Sequence, residues 1–462
     1  MNWRDYQPVV LPRVSGTDHL RDIAVAEQHG LYAQLKRVLK GELGDRKAVT
    51  DTVKAANIRG RGGAGFNAGL KWSFMPPKKE GLPRYLACNG DESEPGTYKD
   101  RRIFEFNPHL FIEGTLIACW AMEMDAAYVY VRGEYADWID MLQQAVDQAY
   151  AKGYIGDNIL GSGVSIHFYV HKGAGAYICG EETSLMESLE GKRAYPRSKP
   201  PFPAQFGLWG KPTTINNIET LAHVPLVLQK GADWYQNLGA KDHPGPMLYG
   251  LQGHLNRTGL FELPSGMRLD TLMYEVGQGI RGGKRAKAVI PGGSSVPPLP
   301  VEYVEVSAGT PNAIALEGRH YQLLFNGHPD ITMNAASLDS ARQPGESMGS
   351  AVGTTGMLVL DEDTDMVRYL YRIAKFYHHE SCGQCTPCRE GTGWLQSLLE
   401  RFVKGTAGVR DMDLLLDLCD NMEGRTVCAL ADAAAWPVRN TLRRFTDEFK
   451  ARVKTERVLV GV

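Results

Sequence analysis

Apolar residues recur along the chain with a period that changes from one segment to the next. Between residues 18 and 57 they follow the 3.6-residue period of an amphipathic helix. From about residue 85 to 228, short apolar runs alternate with a helical pattern, and the runs lie at 84–89, 126–132 and 164–170. Strands that alternate with helices predict an α/β fold with a largely parallel sheet.

The pattern changes again in the middle of the chain. Residues 247–251 and 259–263 predict strands of a small β-rich module, with one short helix at 269–276. The polar stretch that follows, to about residue 345, contains no convincing helix. From residue 361 to the end, apolar positions fall on one face of successive helices. The sequence therefore predicts an α/β domain, a β-rich module and a C-terminal helical bundle.

Three cysteines at intervals of three, Cys382, Cys385 and Cys388, are the strongest chemical signal in the sequence. Cys-x2-Cys-x2-Cys is the ligand run of [4Fe–4S] clusters. Two later cysteines could supply a fourth ligand. Cys419 lies in an apolar helical run, where a cysteine is usually a small core residue, so Cys428, in a loop that begins near a glycine, is favoured. A structural zinc site is the alternative, although such sites usually pair two separate knuckles.

Composition and charge narrow the classes of protein. Of 462 residues, 43% are hydrophobic and 23% charged, and the formal net charge is −2. Without a long Lys/Arg run there is no electrostatic case for nucleic acid, and the apolar stretches are too short for direct membrane insertion. Eight cysteines, half of them candidate cluster ligands, fit a reducing compartment better than a disulfide framework. We expect a soluble, intracellular protein.

A first glycine-rich loop, at residues 60–65, matches G-x-G-x-x-G. The dinucleotide-binding fingerprint requires a preceding strand, and residues 55–59 make a poor one. Its small residues would still let backbone amides approach a phosphate or a flat ring. A tight interdomain turn is the alternative interpretation.

A second glycine loop follows the strand pattern at 164–170 and precedes a helical pattern, an order that suits phosphate binding at a helix N-terminus. Residues 175–180 have Walker A spacing. However, Glu181 and Glu182 replace the Lys-Ser/Thr pair, which argues against an ATP site. Two further loops are candidates: the Pro-rich residues 197–203, and the acidic residues at 89–96, which would lie beyond the end of a strand.

Together these motifs resemble the NADH-binding flavoprotein subunit of respiratory complex I, whose core also occurs in diaphorase subunits of NAD-linked hydrogenases and formate dehydrogenases. The matching segments are 60–74, 89–100, 173–182, 196–203, 216–220 and 380–389. The resemblance implies a Rossmann-like FMN-binding α/β domain, a ubiquitin-like β-grasp module and a helical bundle that carries a [4Fe–4S] cluster. The expected division is 1–70 for the N-terminal helical segment and glycine loop, 71–243 for the FMN/NADH domain, 244–345 for the β-grasp module with an insertion, and 346–462 for the bundle.

The resemblance also implies the site residues. FMN would contact Gly60, Arg61, Gly62, Gly63, Ala64, Gly65, Lys71, Asn89, Asp91, Glu92, Tyr177, Gly180, Glu181, Glu182, Asn216, Asn217 and Thr220. NADH would contact Phe66, Phe74, Glu94, Glu182, Lys199 and Phe202, and the cluster would be held by Cys382, Cys385, Cys388 and Cys428. No general acid or base is expected, because hydride transfer needs only that two rings be oriented, here by Glu94 and Glu182.

The expected function is NADH dehydrogenation, with electrons passing singly from FMN to the cluster and through complex I toward quinone. The implied partners are a thioredoxin-like [2Fe–2S] subunit and a large iron–sulfur subunit, at the inner face of the bacterial cytoplasmic membrane. One alternative host is a soluble hydrogenase or formate dehydrogenase. Another class of alternative is a non-catalytic nucleotide-binding scaffold with structural zinc. Two departures from the family pattern are Gly90 and an insertion of roughly two dozen residues within 294–348, which loops absorb at low cost.

Overall fold

The computed structural model describes residues 3–12 and 19–454. The chain divides into two compact units. Unit 1 comprises Met1–Ser93, Thr97–Gly250 and Leu260–Met267, and unit 2 comprises Glu94–Gly96, Leu251–Gly259 and Arg268–Val462. The finer division into four segments stays a prediction. Residue 18 of the expected first helix and residues 455–462 of the expected bundle lie outside the described residues.

Unit 1 is built around a parallel sheet of four strands in the spatial order β3–β2–β1–β4. The strands are β1 (Tyr85–Gly90), β2 (Ala126–Val131), β3 (His167–Lys172) and β4 (Thr213–Asn217). Each neighbouring pair is parallel, so the carboxyl ends of all four strands meet at one edge. The predicted α/β fold with a parallel sheet is confirmed.

The helices of unit 1 are α1 (Ile23–Gln28), α2 (Ala33–Leu39), α3 (Arg46–Ala55), α4 (Ala68–Trp72), α5 (Asp100–Phe106), α6 (Pro108–Ala121), α7 (Ala136–Ala151), α8 (Glu182–Leu189), α9 (Ile218–Lys230) and α10 (Ala232–Gln236). The helical stretch predicted from residue 18 to 57 is split into three helices, because Gly30 and Gly41 adopt positive φ between them. Helix α6 is buried along its whole length. A Cβ at Gly114 would lie 1.9 Å from the Leu221 carbonyl oxygen, so glycine permits the close packing of α6 against α9.

The N-terminal segment of unit 1 is tied to a buried carboxylate. After the two-residue strands β5 (Gly239–Ala240) and β6 (His243–Pro244) and the longer β7 (Pro246–Gly253), strand β8 (Gly259–Pro264) carries Glu262. Its carboxylate accepts hydrogen bonds from the Tyr6 hydroxyl at 2.7 Å and from the backbone N–H groups of Val9, Val10 and Leu11. Burial raises the pKa of this carboxyl. The four donors compensate for the loss of hydration.

Unit 2 contains an antiparallel sheet that includes the order β11–β12–β10–β9–β14, with β13 paired to β12. The strands are β9 (Ala286–Ile290), β10 (Leu299–Val306), β11 (Ile314–Leu316), β12 (Arg319–Phe325), β13 (His328–Pro329) and β14 (Gly356–Asp361). Ala288, Ile290 and Leu360 form a buried apolar cluster with Met366. The predicted β-rich character of this region is therefore observed, and it extends through the polar stretch.

The helices of unit 2 are α11 (Leu269–Thr271), which continues as a π-helical turn (Leu272–Val276), α12 (Ala335–Ser340), α13 (Met366–Glu380), α14 (Thr386–Val403), α15 (Asp411–Met422), α16 (Leu430–Arg444) and α17 (Thr446–Lys450). The predicted C-terminal helical region is confirmed. The short helix α12 was not predicted from the sequence; the Asn334 side chain caps it by accepting a hydrogen bond from the Ser337 N–H. Among residues 3–12 and 19–454, none of the helices combines the length and apolar character of a membrane span.

A buried ion pair joins the end of α16 to the segment after α12. The Arg444 guanidinium donates to both carboxylate oxygens of Glu346, at 2.8 and 2.6 Å, and to the Pro298 carbonyl at 2.8 Å. The two charged side chains are 2% and 6% exposed. This bidentate geometry fixes the loop against the helix at a site with little solvent screening.

We expect Arg444→Met to lower the free energy of unfolding of unit 2 by about 3–5 kcal/mol, because it leaves the Glu346 carboxylate buried without its cation. Denaturant titration followed by circular dichroism measures the change. Arg319→Met is the matched control, since its ion pair with Glu305 has side chains 64% and 59% exposed, and such solvent-screened pairs contribute little to stability. Equal stability losses in the two variants would contradict the assignment.

Candidate functional site

The carboxyl ends of β1 and β4 lie side by side and carry predicted flavin ligands. In the parallel register Cys88 pairs with Asn216, and Asn89 pairs with Asn217. The Asn89 side-chain amide donates to the Gly180 carbonyl oxygen at 2.8 Å. These contacts bring the second glycine loop to the same sheet edge, as expected for a ligand site beyond strand ends.

The first glycine loop is docked onto the start of α9. The Arg61 backbone N–H donates to the Thr220 hydroxyl at 2.8 Å, and a Cβ at Gly62 would lie 3.4 Å from Asn217 Cβ. The Arg61 guanidinium is 4% exposed and donates to the Pro244 carbonyl at 2.8 Å. Arg61 therefore anchors the loop with its side chain, while small neighbours keep the loop backbone accessible.

The second loop forms a 3-10 turn, Tyr177–Gly180, immediately before α8. The Glu181 carboxylate caps this helix by accepting hydrogen bonds from the N–H groups of Thr183 and Ser184, at 2.8 and 2.9 Å. A Cβ at Gly180 would lie 3.4 Å from the Asp91 carbonyl oxygen, so the turn packs closely on the loop after β1. The predicted order of strand, glycine turn and helix is observed.

Glu182 lies between two lysines from separate segments. Its carboxylate pairs with Lys71 Nζ at 2.8 Å and with Lys199 Nζ at 2.5 Å. Burial raises the pKa of the Glu182 carboxyl, but the two ammonium groups outweigh this and lower the pKa to about 2. The carboxylate is therefore ionised at neutral pH and balances part of the positive charge of the two lysines.

Three exposed aromatic rings were predicted to bind the adenine. The rings of Phe66 and Phe74 have centroids 6.0 Å apart and are 47% and 53% exposed. Phe202 is 53% exposed on the Pro-rich loop, which contains Lys199. Large exposed rings at this spacing offer surfaces for stacking with a planar ligand.

Two predicted ligands have structural partners. The Glu92 carboxylate is 5% exposed and accepts hydrogen bonds from the Lys99 and Asp100 N–H groups, at 2.7 and 2.8 Å, where α5 begins. Burial and the Asp100 carboxylate raise the pKa of Glu92 to about 7. Glu94 belongs to unit 2, where its carboxylate accepts a hydrogen bond from the Ser295 N–H at 2.7 Å.

Sequence reasoning missed a buried charge cluster in unit 1. Lys99 Nζ lies 2.8 Å from Asp100 Oδ1 and 2.8 Å from Glu219 Oε2, and the three residues are 2%, 3% and 1% exposed. Lys99 and Asp100 end the family motif at 89–100, and Glu219 lies in the motif at 216–220. Membership in these motifs was the only signal, because burial of a charged residue leaves no mark in composition or periodicity.

The cysteine run of unit 2 begins in the loop after α13 and ends within α14, which contains Cys388. Cys385 is the N-cap residue of α14, and Pro387 lies in its first turn. Cys388 is buried, whereas Cys382, Cys385 and Cys428 are partly exposed. The Val427 N–H lies 3.4 Å from Cys385 Sγ, which brings the Cys428 loop to the run.

Cys419 has a different environment from Cys428. It is fully buried, and its thiol contacts the Ala435 carbonyl at 3.6 Å. Burial raises the pKa of the Cys419 thiol to about 12, which disfavours the thiolate that iron binds. Within the described part of the chain, no group of three or more His, Cys, Asp or Glu side chains is arranged to hold a metal ion. A [4Fe–4S] cluster takes four cysteine thiolates as ligands.

Two family models match the chain and define its class. The Nuo51 FMN-binding domain matches residues 53–226, and the NADH-ubiquinone oxidoreductase-F iron–sulfur binding region matches residues 368–452. The first match covers the sheet and both glycine loops, and the second covers the cysteine run and Cys428. The chain is thus an FMN-binding and iron–sulfur protein.

Whole-chain relatives identify the family. The F subunit of NADH-quinone oxidoreductase from Rickettsia typhi is 45% identical over 435 residues, 94% of each chain. The corresponding protein of Rickettsia bellii (strain OSU 85-389) is 46% identical over 407 residues, 88% of this chain and 90% of the relative. The chain belongs to the family of NADH-quinone oxidoreductase F subunits.

A solved NAD+-reducing [NiFe]-hydrogenase is also similar. In its H2-reduced state it is 31% identical with a TM-score of 0.72, covering 89% of this chain. In its air-oxidized state it is 30% identical with a TM-score of 0.75, covering 95% of this chain. This chain spans 63% and 67% of the hydrogenase chain in the two structures.

FMN and a [4Fe–4S] cluster are the cofactors of this chain, as predicted, and the residues present fit both groups. At the edge of the parallel sheet, glycine-rich backbone and side-chain amides converge where added Cβ atoms would crowd the loops. In unit 2, the cysteine run lies at the N-terminal end of α14, whose dipole favours an anionic cluster.

Proposed function

We propose that this chain is the NADH-oxidising subunit of complex I, which passes electrons from NADH to the other subunits and ultimately to quinone. The observation that supports this most strongly is the convergence of four family segments at one sheet edge, through the Asn89–Gly180 and Arg61–Thr220 hydrogen bonds. When bound, FMN supplies the hydride acceptor and the cluster supplies a one-electron acceptor.

In this proposal the chain binds and orients its ligands and supplies no acid or base. The loop at residues 60–65 and the side chains of Asn89, Asn216, Asn217 and Thr220 hold the flavin and its phosphate. Lys71 and the Tyr177–Gly180 turn extend the same surface.

NADH would bind over the flavin. Phe66, Phe74 and Phe202 supply aromatic surfaces that can stack on its adenine. Glu182 and Lys199 lie where charges can contact the dinucleotide, with Glu94 as a further predicted contact. An acidic residue in such a pocket favours a ribose hydroxyl over a 2′-phosphate.

Adding NADH to the purified, anaerobic, cofactor-loaded protein is expected to bleach its yellow-brown absorbance, whereas an equal concentration of NADPH should leave it nearly unchanged. The physical reason is the ionised Glu182 carboxylate, which would repel a 2′-phosphate. Visible absorbance spectra before and after each addition measure both effects. A loaded protein that neither nucleotide bleaches would refute the proposed function.

The chain works with other complex I subunits. The specific partners we propose are a thioredoxin-like [2Fe–2S] subunit and a large iron–sulfur subunit, with the assembly peripheral to the inner face of the cytoplasmic membrane. Co-purification of a tagged chain from its native host, followed by mass spectrometry, tests these partners. Recovery of NADH:quinone activity in the same fraction would support the proposal.

A second candidate is the diaphorase subunit of an NAD-linked hydrogenase, which the structural similarity to the NAD+-reducing hydrogenase favours. The relatives that match over 94% of both chains support complex I instead. The same co-purification distinguishes the two candidates, because a diaphorase would be recovered with hydrogenase subunits.

A further inference from the structure

The buried cluster around Lys99 contacts predicted flavin ligands. We define the Lys99 cluster as Lys99, Asp100, Asn217 and Glu219. Besides its two ion pairs, Lys99 Nζ donates to Asn217 Oδ1 at 3.4 Å. Burial lowers the pKa of the Lys99 ammonium, but Asp100 and Glu219 more than offset this and raise it above its usual value. The cluster therefore holds one cation between two carboxylates in a place with almost no solvent.

The cluster fixes the orientation of the Asn217 side chain. Its amide nitrogen donates to Asp100 Oδ2 at 2.7 Å, and its amide oxygen accepts from Lys99 and from the Glu219 N–H at 3.0 Å. With a donor contact at one end and acceptor contacts at the other, the amide cannot flip without losing both. Asn217 is adjacent to the first glycine loop, since a Cβ built at Gly62 would lie 3.4 Å from Asn217 Cβ.

The same arrangement controls charge close to the flavin site. FMN carries an anionic phosphate, and the flavin gains electron density when it is reduced. The buried carboxylates of Asp100 and Glu219, two residues that contact Asn217, would disfavour both the bound phosphate and the reduced flavin. Coulomb energies are large where solvent is excluded. The Lys99 ammonium offsets them, and Asn217 lies between the ammonium and the glycine loop.

We propose that Lys99 is a positioning residue for the flavin, which holds the glycine loop through Asn217 and raises the reduction potential of the bound FMN. The inference rests on the proposed function, because it assumes that FMN binds at the edge formed by β1 and β4. It assigns Lys99 no contact with substrate.

The test is a series of variants whose charges differ in a known way: Lys99→Met, Lys99→Arg, Glu219→Gln and the double variant Lys99→Met/Glu219→Gln. The flavin midpoint potential is measured by anaerobic spectroelectrochemical titration at one fixed pH, because two further titratable groups face the Lys99 cluster: Glu92, which accepts from the Asp100 N–H, and His223, whose Nε2 lies 3.9 Å from Glu219 Oε1. The FMN dissociation constant is measured by fluorescence titration of the deflavinated protein. The content of [4Fe–4S] cluster in each variant serves as the control for the fold of unit 2.

We expect Lys99→Met to give the lowest potential and Glu219→Gln the highest, with the wild type, Lys99→Arg and the double variant in between. FMN binding should weaken about 10- to 100-fold in Lys99→Met, the range seen when outer partners of bound metal ligands are removed. If Lys99→Met fails to fold, the inference is tested by the order of the flavin potentials of the other three variants and the wild type. A potential in Glu219→Gln equal to that of the wild type would overturn the inference.

Measurements on the wild-type protein distinguish failure of the proposed function from failure of the role of Lys99. A wild type that NADH does not bleach would refute the proposed function. A wild type that NADH does bleach, together with one potential shared by all variants and unchanged FMN affinity, would refute only the role of Lys99.

Discussion

Replacing Cys428 with alanine is expected to abolish stable assembly of the [4Fe–4S] cluster. The run from Cys382 to Cys388 provides three thiolates, and the cube requires a fourth ligand. The Cys428 thiol is partly exposed, and the neighbouring Val427 N–H lies 3.4 Å from Cys385 Sγ, so its loop is already at the run. Iron and acid-labile sulfide analysis, with electron paramagnetic resonance of the reduced protein, measures the loss.

Cys419→Ala is the matched control for this prediction. Both cysteines lie in the C-terminal helical region, but the Cys419 thiol is enclosed in the packing of α15 and contacts the Ala435 carbonyl. Its replacement should cost some stability and leave the cluster intact. A normal cluster signal in Cys428→Ala, or a lost signal in a folded Cys419→Ala, would show that the fourth ligand is assigned wrongly.

Replacing Glu182 with glutamine is expected to relax selection against NADPH. Because the pKa of this carboxyl is held near 2, its negative charge is present throughout the neutral range. The substitution removes that charge, so that Lys71 and Lys199 can attract a 2′-phosphate, although Lys199 keeps its 3.6 Å pair with Glu181. We expect kcat/KM for NADPH to rise about 10- to 100-fold, which corresponds to about 1.4–2.7 kcal/mol.

Glu187→Gln is the control for coenzyme choice. Glu187 is on the same helix, α8, and pairs with Arg197 at 2.5 Å, but it is not among the predicted nucleotide contacts. Its replacement should leave the ratio of NADH to NADPH turnover unchanged. Negligible NADPH turnover in Glu182→Gln, measured by stopped-flow reduction of the loaded protein, would mean that another residue sets the selectivity.

The sequence predicted the elements whose patterns are strong. The strands at 84–89 and 126–132 were predicted within one residue of their observed bounds, because buried parallel strands give continuous apolar runs. The expectation that no regular strand precedes the first glycine loop is confirmed as well, since helix α3 (Arg46–Ala55) ends there. The spacing of the cysteines identified the cluster-binding run, and the structure places this run at the start of α14.

The elements that were missed have weak local signals. Strands β10 and β12 lie in a stretch that reads as polar. The reason is that much of β10 beyond Val301 is only half-buried or exposed, so polar residues are tolerated there. An antiparallel strand with one solvated face carries few apolar residues. Helix α12 has six residues, too short for a period to appear.

In the candidate site too, the motifs predicted which segments converge but not the side-chain contacts that hold them. The family pattern gave the segments that converge at the sheet edge, but it gave no information on which side chains hold the segments themselves. The Glu181 carboxylate caps α8, and that of Glu92 accepts backbone hydrogen bonds at the start of α5. Both of these are local contacts, whereas the Asn89–Gly180 and Arg61–Thr220 hydrogen bonds join residues 91 and 159 positions apart and depend on packing that no local pattern of residues reveals.

The hydrogen bonds to Glu262 make the first described residues a structural part of unit 1. Proteolytic removal of residues 3–12 would take away the Tyr6, Val9, Val10 and Leu11 donors together and leave the carboxyl without these hydrogen bonds. The trimmed protein would then have to bind a proton at Glu262 or admit water there. N-terminal affinity tags should therefore be attached through a linker that leaves this segment in place.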